Sequence, residues 1–150
     1  MSPVVASSTN PRKLKALEIC QIYIDGASRG NPGPASIGVH MVDPEGQAVA
    51  QISETIGIQT NNVAEYFAFL YALQEALARQ VRTLEILTDS QLLARQFSGE
   101  YKVKDANIRL LHRLAKRLAS YFDSCEVRHI ARENNIAADK LANEALDRAM

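Results

Sequence analysis

Apolar and polar residues alternate in the first part of the chain. The strings CQIYID (20–25) and SIGVHM (36–41) both show a period of two, which predicts strands with one buried face. The turn sequences GASRGNPGP (26–34) and DPEG (43–46) separate these strands from each other and from a third strand over roughly 47–58. This part of the sequence therefore predicts an antiparallel meander of strands joined by short turns.

After the meander the apolar period lengthens to that of a helix. The remaining predicted elements are a helix over 61–79, a short strand that ends at Thr88, a helix over 90–97 stopped by Gly99, a helix over roughly 106–122, a strand over 125–130 and a helix over 136–148. The order βββαβααβα predicts an α/β fold with a five-stranded mixed sheet, in which two parallel strands extend the meander and helices flank the sheet.

Composition describes one ordinary globular domain. The chain has 150 residues, and its 17 Lys and Arg balance its 17 Asp and Glu, so nucleic acid could be bound only through a local patch. We expect a flexible tail over 1–17 and a catalytic domain over 18–150. Without an export signal or a membrane-length apolar run, we expect a cytoplasmic protein with no membrane contact and reduced thiols at Cys20 and Cys125.

Four acidic residues stand at the edges of predicted elements. Asp25 and Asp89 end predicted strands, whereas Glu65 and Asp139 lie in the first turns of predicted helices. Ligands of such sheets bind outside the carboxyl ends of the parallel strands, so the topology allows all four side chains to converge. Carboxylates without a Cys or His cluster suit Mg²⁺ or Mn²⁺. The pattern therefore indicates metal-assisted phosphoryl transfer.

Four motifs carry a resemblance to a known family. The segments IYIDGASRGNPGPASIG, TNNVAEYFAFLYAL, ILTDSQLL and NNIAADKLANEA, in this order, resemble the type 1 ribonuclease H family over about residues 20–147. The resemblance implies a ribonuclease H-like fold whose first strand is central. It also implies hydrolysis of the RNA strand of RNA–DNA hybrids, leaving 5′-phosphate and 3′-hydroxyl ends. Two Mg²⁺ ions, with Mn²⁺ as a substitute, would be held by Asp25, Glu65, Asp89 and Asp139.

The same resemblance implies a set of substrate contacts. Gly26, Ala27 and Ser28 in the first turn would contact the 2′-hydroxyls of the RNA strand. Asn31, Thr60 and Asn62 would form a pocket for a phosphate of the DNA strand. Asn61 and Gln91 would contact the minor groove. From the residues alone, a helix cap is the favoured role of Thr60, Asn61 and Asn62, and a helix N-terminus also favours phosphate. For Ser90 we expect a helix cap rather than a nucleophile.

Two features depart from many family members. Many family members carry a His in the loop before the last acid, where the resemblance implies that it helps the product leave or moves a proton. The loop over 131–135 has no His, so Arg132 and Glu133 are the candidates for this role. The segment after Asp89 is short, and Lys102 and Lys104 are its candidate phosphate contacts. Both departures resemble short-looped archaeal and bacterial members. We expect structural roles for the chain's three His residues, which are His40, His112 and His129.

Alternative functions share this fold. An integrase-like DNA nuclease is disfavoured by the GNPG and TNN motifs, and a non-catalytic hybrid-binding module is disfavoured because all four acids are present. The sequence leaves open whether double-stranded RNA is a second substrate. We expect a monomer.

Overall fold

A computed structural model describes residues 18–149 of the protein. The predicted tail over 1–17 lies outside the described residues. The five strands are β1 (Ile19–Ser28), β2 (Gly33–Val42), β3 (Ala48–Gln59), β4 (Thr83–Thr88) and β5 (Ser124–His129). The helices are α1 (Asn61–Ala78), α2 (Gln91–Ser98), α3 (Ala106–Ala119) and α4 (Ile136–Ala149), and a 3₁₀ turn over Arg132–Asn134 precedes α4.

The strands form one mixed sheet in the order β3-β2-β1-β4-β5. β1 pairs antiparallel with β2, and β2 pairs antiparallel with β3. β1 also pairs parallel with β4, which pairs parallel with β5. The predicted mixed sheet with a central first strand is therefore confirmed, and the carboxyl ends of β1, β4 and β5 lie at one edge.

Helices cover the two faces of the sheet differently. α1 packs on the face that carries Ile22, Ile24 and the other apolar positions of β1 and β2, and α3 packs on α1. α4 packs on the opposite face of β2, where the buried Ser36 hydroxyl donates to the Ala142 carbonyl at 2.5 Å. The hydrophobic core therefore lies between the sheet and α1, and α4 closes the other side of the meander.

Three element boundaries differ by several residues from the sequence predictions. β1 continues past Asp25 to Ser28, and β2 begins at Gly33, so the turn predicted over 26–34 is confined to 29–32. Pairing between the two strands overrides the weak strand propensity of their small residues. The helix predicted to reach residue 122 ends at Ala119. Phe122 lies beyond the end of this helix and is buried in the core. It therefore continues the apolar pattern that predicted a longer helix.

Cys20 and Cys125 are free, as predicted. Each is a register partner of Leu84 on β4, so two strand spacings of about 4.8 Å separate them. This separation exceeds the reach of a disulfide. Among the described residues, none of the helices has both the length and the apolar character needed to cross a membrane.

Candidate active site

Strand register brings Asp25 and Asp89 together. The last parallel pair of β1 and β4 joins Ile24 to Thr88, and each acid is the next residue along the chain. Asp25 is buried, and Asp89 is half-buried. The prediction that Asp25 ends its strand was wrong, because β1 continues in its pairing with β2. It is the parallel pairing with β4 that ends just before Asp25, and this places both carboxylates at the same edge.

Glu65 approaches this edge from α1. Its Oε1 accepts a hydrogen bond from the Gly26 N–H at 2.9 Å. A Cβ at Gly26 would overlap the Ala64 carbonyl group and the Glu65 nitrogen. The absence of a side chain at Gly26 thus lets α1 approach β1. Glycine at this position therefore allows the Glu65 carboxylate to reach the residue next to Asp25.

Asp139 approaches from the opposite side, on α4. Gly38 of β2 is the register partner of Asp25, and a Cβ there would overlap the Ala138 carbonyl. α4 therefore lies against the strand beside Asp25 at the turn that carries Asp139. Asp139 lies near enough to Asp25 to raise the pKa of that carboxyl group. Two glycines that flank Asp25, one along the chain and one across the sheet, thus admit the two helices that supply the other acids.

We call Asp25, Glu65, Asp89 and Asp139 the acidic cluster. One carboxylate oxygen each from Asp25, Glu65 and Asp89 lies within 4.8 Å of the others, a spacing that suits a shared metal ion. Asp139 is outside this closest set and joins the cluster through Asp25. The structure thus brings together all four predicted acids.

The cluster is electrostatically unfavourable without a cation. Burial raises the pKa of Asp25 to about 8, with further contributions from the Asp89 charge and from Asp139. Burial also raises the pKa of Glu65 well above its ordinary value, and the charges of Asp25 and Asp89 add to this effect. Desolvation and like charges both disfavour ionised carboxylates. Oxygen ligands in this condition suit a hard divalent cation, whose charge would offset their repulsion.

Arg132 supplies a positive charge that acts on the cluster. Its charge lowers the pKa values of both Asp25 and Glu65, so the guanidinium lies close enough for its field to reach them. The residue begins the 3₁₀ turn before α4 and is exposed. The loop that lacks a His thus contains an Arg whose charge acts on the cluster.

Sequence reasoning missed Asn135, the residue that follows the turn. Its side chain is fully buried, and its Nδ2 donates to the Ile24 carbonyl at 2.8 Å and lies 3.4 Å from Asp89 Oδ2. The available signal was an Asn immediately before a predicted helix, and this signal indicates a helix cap rather than a contact with an acid 46 residues away.

Comparison with known proteins places the chain in a family. The sequence profile of a family described as reverse transcriptase-like matches residues 23–145. The crystal structure of ribonuclease H1 from Halobacterium salinarum is similar with a TM-score of 0.85 and 42% identity, over 87% of this chain and 98% of that one. This chain belongs to the type 1 ribonuclease H family.

Other family members align over the same domain. LC11 ribonuclease H1, solved in complex with an RNA/DNA hybrid, has a TM-score of 0.83 and 38% identity over 87% of this chain and 98% of that chain. The N-terminal ribonuclease H domain of a Mycobacterium tuberculosis protein has a TM-score of 0.83 and 38% identity, over 86% and 99% of the two chains.

Two of the curated relatives are longer than this chain. The Halobacterium salinarum protein named ribonuclease HI is 44% identical over 127 residues, which are 85% of this chain and 64% of that protein. A Mycobacterium tuberculosis protein described as bifunctional is 40% identical over 129 residues, but these cover only 35% of its length. The chain therefore spans less than two thirds of these curated relatives.

The residues that the family resemblance assigned to a DNA-phosphate pocket lie around the start of α1. Thr60 caps the helix, and its Oγ1 accepts from the Val63 N–H at 3.3 Å. Asn31, in the turn between β1 and β2, accepts through Oδ1 from the Asn61 N–H at 3.0 Å. Asn61 and Asn62 are exposed. The structure thus joins Asn31 to the N-terminus of α1, on the helix that also carries Glu65.

The remaining candidate contacts lie at the ends of β1 and α2. Gly26, Ala27 and Ser28 belong to β1, and the Ser28 hydroxyl donates to the Gln59 carbonyl at 2.8 Å. Ser90 caps α2 as predicted, accepting from the Leu93 N–H at 3.1 Å, and the exposed Gln91 is the first residue of that helix.

The candidate loop residues and the histidines are dispersed. Lys102 and Lys104 are exposed in the segment between α2 and α3, and Glu133 is exposed in the 3₁₀ turn. The His40 ring bonds to Gln51 Nε2 at 2.9 Å, and His112 contacts the Gln96 carbonyl at 3.2 Å. His129 is exposed at the end of β5.

Proposed function

We propose that this protein is an endonuclease that hydrolyses the RNA strand of RNA–DNA hybrids, leaving 5′-phosphate and 3′-hydroxyl ends. The observation that carries the proposal is the convergence of the Asp25, Glu65 and Asp89 carboxylate oxygens within 4.8 Å, at the strand edge where such sheets bind ligands. The LC11 relative solved with an RNA/DNA hybrid supports the substrate class.

The acidic cluster would hold two divalent ions, Mg²⁺ or in its place Mn²⁺. Asp25 is the central ligand in this proposal, because it interacts electrostatically with each of the other three acids. When bound, two such ions activate a water and stabilise the charge that develops on the leaving 3′-oxygen. The protein contributes four fixed acceptors, and the glycines beside Asp25 set their separation.

Residues around the start of α1 would hold the DNA strand. The N–H groups at a helix N-terminus attract phosphate, and Asn31, Thr60 and Asn62 surround this end of α1. Asn61 and Gln91, the first residues of their helices, would contact the minor groove. The pocket and the acidic cluster are joined by one helix, which fixes the DNA strand relative to the cut site on the RNA strand.

Recognition of RNA would come from the end of β1. Gly26, Ala27 and Ser28 directly follow Asp25, so a strand positioned for cleavage would present its 2′-hydroxyls to them. The 2′-hydroxyl distinguishes RNA from DNA. Arg132 or Glu133 would assist departure of the product, and Lys102 and Lys104 would contact phosphates. The monomeric state and the cytoplasmic location stay predictions.

A gel assay tests the proposal. The purified full-length protein is incubated with an RNA–DNA hybrid, double-stranded RNA and double-stranded DNA of one sequence, each with Mg²⁺, Mn²⁺ or EDTA. We expect cleavage of the hybrid's RNA strand with either metal, none in EDTA, and much slower or no cleavage of DNA. Equal cleavage of hybrid and DNA would favour an integrase-like nuclease. Binding of the hybrid without cleavage would favour a non-catalytic module, and the RNA duplex decides whether double-stranded RNA is a second substrate.

A further inference from the structure

Asn135 lies between three parts of the structure that carry acids of the cluster. Its Nδ2 donates to the carbonyl of Ile24, the residue before Asp25, at 2.8 Å, and lies 3.4 Å from Asp89 Oδ2. Its own carbonyl accepts from the Asp139 N–H at 3.1 Å. The residue is completely buried. A single Asn therefore contacts the strand end that carries Asp25, the Asp89 carboxylate, and the first turn of the helix that carries Asp139.

A helix cap does not explain the side chain. Asn135 directly precedes α4, where an Asn side-chain oxygen commonly accepts from an N–H in the first helical turn. In this structure its Oδ1 is buried and has no hydrogen-bond partner among the described residues. Leaving a buried acceptor unpaired costs free energy. The amide is therefore oriented for its two donor contacts, at the expense of the capping bond.

We propose that Asn135 is a positioning residue that orients the Asp89 carboxylate, and the end of β1 beside it, for binding of divalent cations. An amide carries two donor hydrogens, one for Ile24 and one for Asp89 Oδ2. It restrains Asp89 without adding positive charge, which would repel the cation. The other Asp89 oxygen stays available as a ligand. The inference rests on the proposed function for the identity of the ligand as a divalent metal ion.

Groups that orient metal ligands affect metal affinity even though they do not touch the ion. Loss of such a partner typically weakens binding by roughly 10–100-fold. The direct test is isothermal titration of the metal-free full-length protein with MnCl₂, without nucleic acid. Asn135→Ala removes both donor contacts, and Asn135→Ser keeps a polar group that is one bond too short to span both acceptors. We expect each variant to bind Mn²⁺ on the order of tenfold more weakly than wild type.

Ser36→Ala is the matched control. Ser36 is also fully buried and also ties α4 to the sheet, by its 2.5 Å hydrogen bond to the Ala142 carbonyl, but it contacts no member of the acidic cluster in the described structure. We expect Ser36→Ala to lower the melting temperature, because a buried hydrogen bond is lost. The Mn²⁺ dissociation constant should stay within about twofold of wild type, because Ser36 contacts none of the four acids within the described part of the chain.

Several results would overturn the inference. The first two concern affinity: wild-type Mn²⁺ affinity in folded Asn135→Ala or Asn135→Ser, or an equal loss of affinity in Ser36→Ala. The other two are failure of both Asn135 variants to fold while Ser36→Ala folds, and no Mn²⁺ binding by the wild type.

These outcomes can be distinguished from the outcomes that test the proposed function. Asn135-dependent Mn²⁺ binding by a protein that cuts no hybrid refutes the proposed function alone. Hybrid cleavage together with Asn135-independent binding refutes the positioning role alone.

Discussion

The hydrophobic core under α1 and the acidic cluster are neighbours on the same central strand, but they have opposite effects on stability. Ile22 and Ile24 are completely buried among apolar side chains such as Phe69, where every contact favours the folded state. One residue further along β1, Asp25 is buried among other acids, and its pKa is raised to about 8. The core stabilises the fold, and the cluster lowers that stability in the absence of a cation.

This contrast explains why the cluster stands at the end of the parallel pairing. Buried charges are tolerated only where the surrounding structure holds them. Here the rigid sheet, two close-packed helices and Asn135 impose positions that the carboxylates would not adopt on their own. Sites that perform chemistry commonly sacrifice stability in this way. Substitutions in the two regions should therefore have opposite effects on stability and on cleavage.

The largest effect is expected from neutralising one cluster acid. Asp25→Asn and Asp89→Asn should each abolish cleavage of an RNA–DNA hybrid, because each removes a proposed metal ligand, and both variants should stay folded. Asp123→Asn is the control, since Asp123 is an exposed partner of Arg82 beyond the opposite end of β4. Cleavage rates at saturating Mg²⁺ measure the effect. Wild-type turnover in both cluster variants would refute the metal assignment.

The converse effect is expected in the core. Phe69 is completely buried and packs edge-to-face on Phe97, with ring centroids 5.3 Å apart. Phe69→Ala should lower the free energy of unfolding by about 3–5 kcal/mol, because it leaves a cavity. Urea unfolding measures this loss. Below the transition, the cleavage rate per folded molecule should stay close to that of wild type, and a specific loss of catalysis would show that the two regions are not separable.

A smaller effect is expected at the loop that borders the cluster. Arg132→Ala should slow steady-state turnover by about tenfold, equivalent to about 1.4 kcal/mol, with little change in single-turnover cleavage, because its proposed role is to assist product departure. Part of the defect should fade at high salt as screening grows. Arg82→Ala removes a distant surface cation as the control. Equal rates for Arg132→Ala and wild type in both experiments would exclude a catalytic role for this residue.

The sequence was informative where local pattern and long-range structure agree. Alternation along β1 and the turn at residues 43–46 predicted the meander, and the element order predicted the parallel strand that brings Asp89 beside Asp25. The continuation of β1 to Ser28 was not predictable, because small residues there depend on pairing with β2. The role of Gly38 depends on α4, which is about 100 residues away along the chain. The role of Asn135 depends on Ile24 and Asp89, which are 111 and 46 residues away, so no local pattern reveals either role.

Repulsion between the carboxylates of the acidic cluster destabilises the folded protein, and binding of a divalent cation would offset this repulsion. The pKa of Asp25 rises from 3.8 to about 8 on folding, so the folded state binds the proton more tightly. Tighter proton binding by folded Asp25 therefore stabilises the folded state fully below about pH 4, and this stabilisation is lost as pH rises toward 8. Asn mimics the protonated acid and has no such dependence.

The deciding measurement is the free energy of unfolding of metal-free wild type and Asp25→Asn, determined by urea in EDTA at pH 4 and at pH 8 and repeated at pH 8 with Mg²⁺. The account predicts similar stabilities at pH 4, a more stable variant at pH 8, and a larger stabilisation of wild type than of the variant by Mg²⁺. An equal difference between the two proteins at both pH values, with equal effects of Mg²⁺, would contradict it.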